Sequence, residues 1–460
     1  MSDYLAILVL MFSFLTIGGF LLHRISHGIS SKLRRIALSY GLGIGVFTLA
    51  LFYLNMVNIK ISRTLIVSLV VLILATSVIF VIYRIPTISF SSFSYRIFSP
   101  YILIAAFLFI LLVIKSLAIP MRCFDERAKW AMKAKIIHHE GTVKTSDFSD
   151  QHRLHIDRNY PLLLSYLETS AFFMMGKSDD QKIKILFPVF LIFTVLLLFT
   201  ALRENSSHFY SSIFALYLSA LPYIHHSSLI EGGSADTGYA DMPLAFFYFA
   251  SVENLLQWKK TGRGLLLSSL FISFAMFTKL EGLVMYAGWS FLGLFWLIKN
   301  AIYTRSKKNE NKYEFFITLI FLLLPALLMT PFFILTSSFP KDGIDYLGNF
   351  TFERIFANAD RFYVIFAYFL SVLFSWRWSF LGLLSALAVI IFSYNVRRFE
   401  NLAILWFVFF PLSCYFLMLE ITPADVYWQL EVAMNRLILH VAPTLIYFVG
   451  RVAITKTGDI

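Results

Sequence analysis

Apolar runs of about twenty residues, separated by short charged stretches, constrain this chain more than any other feature. A helix rises about 1.5 Å per residue, so about 20 apolar residues cross a hydrocarbon core of about 30 Å. Runs near that length lie at Leu5–Leu22, Ile36–Val57, Leu65–Tyr83 and Tyr101–Ala118. More follow at Ile183–Leu202, His208–Ile224, Asp241–Leu256, Leu265–Thr278, Gly282–Ile298 and Phe315–Leu335. Phe380–Tyr394, Leu402–Leu419 and Leu437–Val452 complete the series. Backbone in lipid must satisfy its own hydrogen bonds, which leaves helices as the structure of such runs. The expected fold is an all-α polytopic membrane protein with about thirteen transmembrane helices. Only 14% of the residues are charged, where soluble domains carry roughly a quarter.

The net charge of +12 would suit nucleic acid if the cations formed one patch. They sit instead in short loops between apolar runs, the pattern that orients membrane proteins, so no nucleic-acid partner is expected. Met1-Ser-Asp-Tyr4 lacks a basic leader, and Arg24, Lys32, Arg34 and Arg35 follow the first run. An uncleaved anchor with its N-terminus outside is expected. Alternating sides then gives three regions: N-terminal helices over 1–119, an extracytoplasmic catalytic loop with surface helices over 120–182, and a helix bundle over 183–460. Outer loops of the bundle fall at 225–241, 337–361 and 420–436. This parity needs Pro161–Met175 to be a surface or re-entrant helix on the outer side. It also puts Phe362–Phe374 at the interface, beside the aromatic-belt residues Trp376-Arg377-Trp378. Cys123 and Cys414 have no zinc spacing, and Cys123 reads as packing.

The chemistry-bearing residues gather in the outer segments. In the longest, Phe124, Ala128, Ala131, Met132 and Ile136 recur at helical spacing, predicting a juxtamembrane helix with Lys129, Lys133 and Lys135 toward the headgroups. Asp125 and Glu126 open it. Adjacent residues point apart on a helix, so they take different roles, either as a base for a hydroxyl or as acids that favour a helix N-terminus. His152 and His155 stand three apart with no third metal ligand set by spacing. Arg158 is the better phosphate contact there. Further on, Asp241 caps a helix with Pro243 in its first turn. Lys279 either binds an anion or pairs with Glu281, and Arg436 enters the membrane edge, where an arginine is costly unless paired.

The order of these motifs resembles the GT-C integral-membrane glycosyltransferases. Phe124-Asp-Glu126 with Trp130, Ala134, Lys135 and Gly141 is similar to their first outer loop. Asn159-Tyr-Pro-Leu162 is similar to a Tyr-Pro-Pro-Leu element, with Leu162 in place of the second proline. Tyr239–Phe246, Thr278–Gly282 and Trp428 with Asn435-Arg436-Leu437 resemble later elements. The likeness runs from about Pro120 to Pro443 and is nearest to bacterial relatives of protein O-mannosyltransferases and of the lipid A aminoarabinose transferase.

The resemblance implies a GT-C-like fold with a large outer loop and a polyprenyl-phosphate sugar donor. It implies a glycan, lipid or protein acceptor and an active site on the outer side of the bacterial cytoplasmic membrane. Asp125 matches the family's catalytic carboxylate and Glu126 its acidic neighbour. Arg158, Lys279 and Arg436 are expected to hold the donor phosphate, from charge and location. Tyr160, Asp241 and Glu281 are expected to meet substrate. No cofactor is required, and a divalent metal stays open, because no Asp-X-Asp triplet stands at Asp125. The alternatives are a transporter or flippase for a lipid-linked sugar, and a polysaccharide polymerase or ligase.

Overall fold

The computed structural model describes residues 2–26, 29, 31–84, 99–150, 152, 156–306, 312–340 and 348–454. Among them there is no strand, and eight helices are long and apolar enough to cross a membrane. They are Asp3–Ile25, Lys32–Met56, Pro100–Ala118, Lys182–Arg203, Glu281–Ile302, Phe315–Ser337, Phe399–Glu420 and Val426–Val452. The protein is therefore an integral membrane protein of helical type. Pro100–Ala118 shows why in one element. Leu103, Ile104, Phe107, Ile110, Leu111 and Ile114 are all exposed on it, an apolar surface that only lipid or a partner can cover. Leu265–Thr278, which forms over the expected residues, and Leu381–Ile391, shorter than expected, are short apolar helices. His208–Ser219 has 12 residues and stops before Pro222.

The chain forms two compact units. The first comprises 1–220 with 235–239 and 338–340, and contains α1 (Asp3–Ile25), α2 (Lys32–Met56), α3 (Arg63–Arg84) and α4 (Pro100–Ala118). Then come α5 (Met132–Glu140), α6 (Leu163–Met175), α7 (Pro188–Arg203) and α8 (His208–Ser219). Serines 2, 31, 99 and 207 cap α1, α2, α4 and α8 by accepting a backbone N–H. α1 and α2 pack backbone against backbone. A Cβ on Gly18 would lie 1.8 Å from the Ser39 carbonyl oxygen, and one on Gly43 1.9 Å from that of Phe14, so only glycine fits either position.

Two expectations for the 120–182 segment change. Of the surface and re-entrant alternatives for 161–175, the surface one falls: every residue from Leu163 to Met174 is buried, among α1, α2, α3 and α5. Three of its polar residues find partners inside. Ser165 and Thr169 donate to the carbonyls of Trp130 (3.3 Å) and Ala134 (3.0 Å), and the Tyr166 hydroxyl donates to Asn55 Oδ1 at 2.9 Å. The Phe124–Ile136 stripe also fails as a single face. Phe124 and Met132 are exposed, whereas Ala131, Lys133 and Ile136 are buried. The cause is a π-helical turn over Glu126–Ala131, whose extra residue shifts the helical phase before α5 begins.

Glu168 on α6 is fully buried, and neither carboxyl oxygen has a hydrogen-bond partner among the described residues. Burial, and behind it the charges of Asp180 and Glu126, pushes this carboxyl well above the usual carboxylate range, while Lys135 and Lys133 oppose the shift. Between the unfolded value of about 4.3 and the raised folded value, the unfolded chain ionises the group and the folded chain does not, so stability falls as pH rises through that window. Glu168→Gln is therefore expected to melt above wild type at about pH 8, with the gap closing toward about pH 4. A gap that does not change with pH would contradict this.

The second unit comprises 221–234, 240–337 and 341–460. It contains α9 (Asp241–Thr261), α10 (Leu265–Thr278), α11 (Glu281–Ser306), α12 (Lys312–Ser337), α13 (Ala359–Leu373), α14 (Leu381–Ile391), α15 (Phe399–Glu420) and α16 (Val426–Val452). α9 packs on α10 and α16, and α15 packs on α16. Hydrogen bonds between helices lace this bundle. Tyr248 donates to the Phe407 carbonyl at 2.7 Å, Trp289 to Ser268 Oγ at 2.8 Å, and Ser268 to the Ser251 carbonyl at 2.7 Å. Such bonds average about 0.6 kcal/mol each in membrane proteins, so they set register more than stability. Trp376 is exposed, as an aromatic belt requires, but Trp378 is fully buried and belongs to the core.

Candidate functional site

In the first unit, Asp125 and Glu126 part company. Glu126 is 1% exposed and both its oxygens are taken by backbone N–H groups. Oε1 accepts from Arg122 and from Cys123 (2.7 Å), and Oε2 accepts from Gly238 at 2.7 Å. A side chain reaching back to the start of its own helix is capping chemistry. Here it also ties the 235–239 segment to the π turn. A Cβ on Gly238 would stand 2.8 Å from Met121 Cε and 3.3 Å from Glu126 Cβ, so the two segments are in close contact there. Trp130 covers the same segment, its ring 5.9 Å from that of Tyr239. Lys115 pairs with Asp236 at 2.9 Å.

Asp125 points elsewhere. Its Oδ1 lies 3.4 Å from Lys129 Nζ, which lies 3.1 Å from Asp157 Oδ2 and 4.7 Å from the centroid of the Tyr160 ring. These three charged side chains are 14–19% exposed, against 1% for Glu126, so water or a ligand reaches Asp125 and not its neighbour. Asp157 has a left-handed backbone (φ 43°), and the buried Lys133 holds that turn by donating to the carbonyls of Asp157 (3.2 Å) and Tyr160 (3.1 Å). Lys133 therefore serves the loop and not the headgroups. Arg158 is fully buried, with Nη2 on the Asp150 carbonyl, where it braces the same loop. His155 lies outside the described residues. Burial, then the Glu126 charge, pushes the Cys123 thiol up to about 11, which leaves it a packing group.

The second unit assembles four of the expected residues into one ion cluster. Asp241 is fully buried at the start of α9. It does not cap that helix. Oδ1 instead receives Lys279 Nζ at 2.9 Å and His440 Nε2 at 2.7 Å, and Oδ2 receives Arg436 Nε at 3.2 Å. Charged donors outcompete the backbone N–H for a buried carboxylate. Lys279, extended between α10 and α11, also meets Glu281 Oε1 at 2.7 Å, so the Lys279–Glu281 pair is formed. The Asp241, His440 and Lys279 side chains are 4% exposed or less, whereas Arg436 and Glu281 reach 12% and 15% and form the accessible rim.

A second tier adjoins it. Arg377 grips Glu231 with both Nη atoms (2.7 and 3.3 Å), and Asn435 Nδ2 donates to Glu231 Oε1. Asn435 Oδ1 accepts from Trp378 Nε1 at 2.7 Å. The Trp378 ring stacks on Tyr223 at 5.2 Å. Gly233, at φ 84°, brings its loop against Arg436: a Cβ there would be 2.7 Å from Arg436 Cγ.

Lys129, Asp157, Glu231, Arg377 and His440 were not singled out as site residues from sequence. Lys129 follows Asp125 by four and His440 follows Arg436 by four, a same-face signal for both pairs. Arg377 carries no such signal. Among the described residues no three His, Cys, Asp or Glu side chains are placed to hold a metal ion. Asp241 and Glu281 are bridged by an ammonium group instead. Comparison of the chain with protein-family models, curated proteins and solved structures returns no match.

Proposed function

We propose that this protein is a glycosyltransferase. In this reading it moves a sugar from a polyprenyl-phosphate donor to a hydroxyl of a glycan, lipid or protein on the outer side of the bacterial cytoplasmic membrane. It crosses the bilayer about thirteen times, with the shorter helices included. The observation that carries the proposal is the division of labour between two adjacent carboxylates: Glu126 sealed by backbone donors, Asp125 left at an accessible edge. A general base needs that accessibility and a fixed backbone beneath it. Asp125 takes the acceptor proton, and the acceptor oxygen attacks C1 on the face opposite the phosphate, inverting it as in glycosyl transfer through an oxocarbenium-like state. Lys129 orients Asp125 and the Tyr160 edge. In the first unit Arg158 braces the loop behind the base; in the second, Lys279 and Arg436 bind phosphate, with Asp241 and Glu281 setting their positions.

A second reading, a transporter of the lipid-linked sugar, is favoured by one observation. A buried ionisable cluster stands where the chain breaks between α10 and α11, a common build for transporter sites. One experiment separates the two. A deletion strain is expected to lose one envelope sugar and to accumulate its prenyl-phosphate-linked form in the outer leaflet, read by mass spectrometry after labelling with a membrane-impermeant reagent. Accumulation in the inner leaflet would support transport and overturn the transferase.

A further inference from the structure

His440 is fully buried on α16, and the transfer described above gives it no task. The charged and titratable groups around it are Asp241 on α9, Lys279 between α10 and α11, Glu281 on α11, Tyr415 on α15 and Arg436 on its own helix. Asp241 and Glu281 balance Lys279 and Arg436, so a neutral His440 leaves the cluster without net charge. Both ring nitrogens are placed to tolerate a change of state. Nε2 faces a carboxylate, which accepts its proton in either form. Nδ1 faces the Tyr415 hydroxyl at 3.3 Å, which donates to a bare nitrogen and accepts from a protonated one. Protonating His440 therefore needs only a hydroxyl rotation.

The ligand changes charge in the complementary sense. A prenyl-phosphate sugar is a phosphodiester with one negative charge, whereas the prenyl phosphate that leaves is a monoester whose second ionisation falls at about pH 6. We propose that His440 takes up a proton as the leaving phosphate gains its second charge, so that the cluster binds the phosphate monoester with proton-linked charge compensation. This rests on the reading that Lys279 and Arg436 hold the lipid phosphate. In the step, the bond from C1 to the phosphate oxygen breaks and its electron pair stays on that oxygen. The acceptor oxygen bonds to C1, and its proton passes to a general base and then to water. His440 draws one proton from water, and the charge of cluster plus ligand is unchanged.

The test is titration calorimetry of the full chain in nanodiscs near pH 7, with farnesyl phosphate as monoester and methyl farnesyl phosphate as diester. Each is measured in two buffers of different ionisation heat. Wild type is expected to take up about one proton with the monoester and none with the diester. His440→Gln is expected to lose that uptake and to weaken the monoester by about tenfold, well beyond any change for the diester. Tyr415→Phe, which removes the acceptor for a protonated Nδ1, is expected to reduce the uptake. No proton uptake in wild type, or the same uptake in His440→Gln, overturns the proposal, and the wild-type arm needs no variant to fold. If wild type binds neither lipid, the phosphate reading itself falls, and this proposal falls with it.

Discussion

Replacing Asp241 by asparagine is expected to destabilise the protein by about 3–5 kcal/mol, the range found when one partner of a buried ion pair is removed. The carboxylate is fully buried and receives Lys279, His440 and Arg436. An amide keeps the shape but turns an NH₂ toward those donors and leaves the Arg436 charge without this counterion. Lys279 keeps Glu281, so its charge stays paired in the variant. Combining Asp241→Asn with Arg436→Met is expected to recover at least about 1 kcal/mol, because the two residues share one interaction. Thermal or denaturant unfolding in detergent reads both. A single variant that melts with wild type would mean that the cluster is hydrated and loosely held.

Asp125→Asn is expected to lower transfer by about 10²–10⁴-fold, the usual contribution of a general base, with the melting temperature close to wild type. The second half follows from geometry. A partly exposed pair at 3.4 Å contributes about 0–1 kcal/mol, so losing the contact with Lys129 hardly touches the fold. Glu126→Gln is expected to behave the opposite way. An amide cannot accept with both atoms, so a buried backbone N–H of the set held by Glu126 loses its partner, at about 1–3 kcal/mol. Melting temperature and turnover of the two variants thus separate base from brace. An active Asp125→Asn protein would end the assignment of Asp125.

Much of this was legible in the chain because it depends on neighbours in sequence. A run such as Tyr101–Ala118 has no low-energy state but a helix in lipid, whatever surrounds it. The different roles of Asp125 and Glu126 follow from adjacent residues pointing apart. Gly141 and Gly176, both left-handed, end α5 and α6 where local turn chemistry allows. The phase of the Phe124–Ile136 helix was not legible, since a π turn leaves the local composition unchanged while moving every later side chain around the axis.

By itself, then, the sequence determined the helical membrane class, the polar interruption at 120–159 and the presence of costly ions such as Arg436 near apolar runs. Tertiary structure alone decided the partners of those ions. Arg436 meets Asp241 at a separation of 195 residues, and Glu231 meets Arg377 at 146. Hydropathy is a property of a segment, whereas a buried charge is stable only beside an opposite charge, and folding brings that charge from elsewhere in the chain.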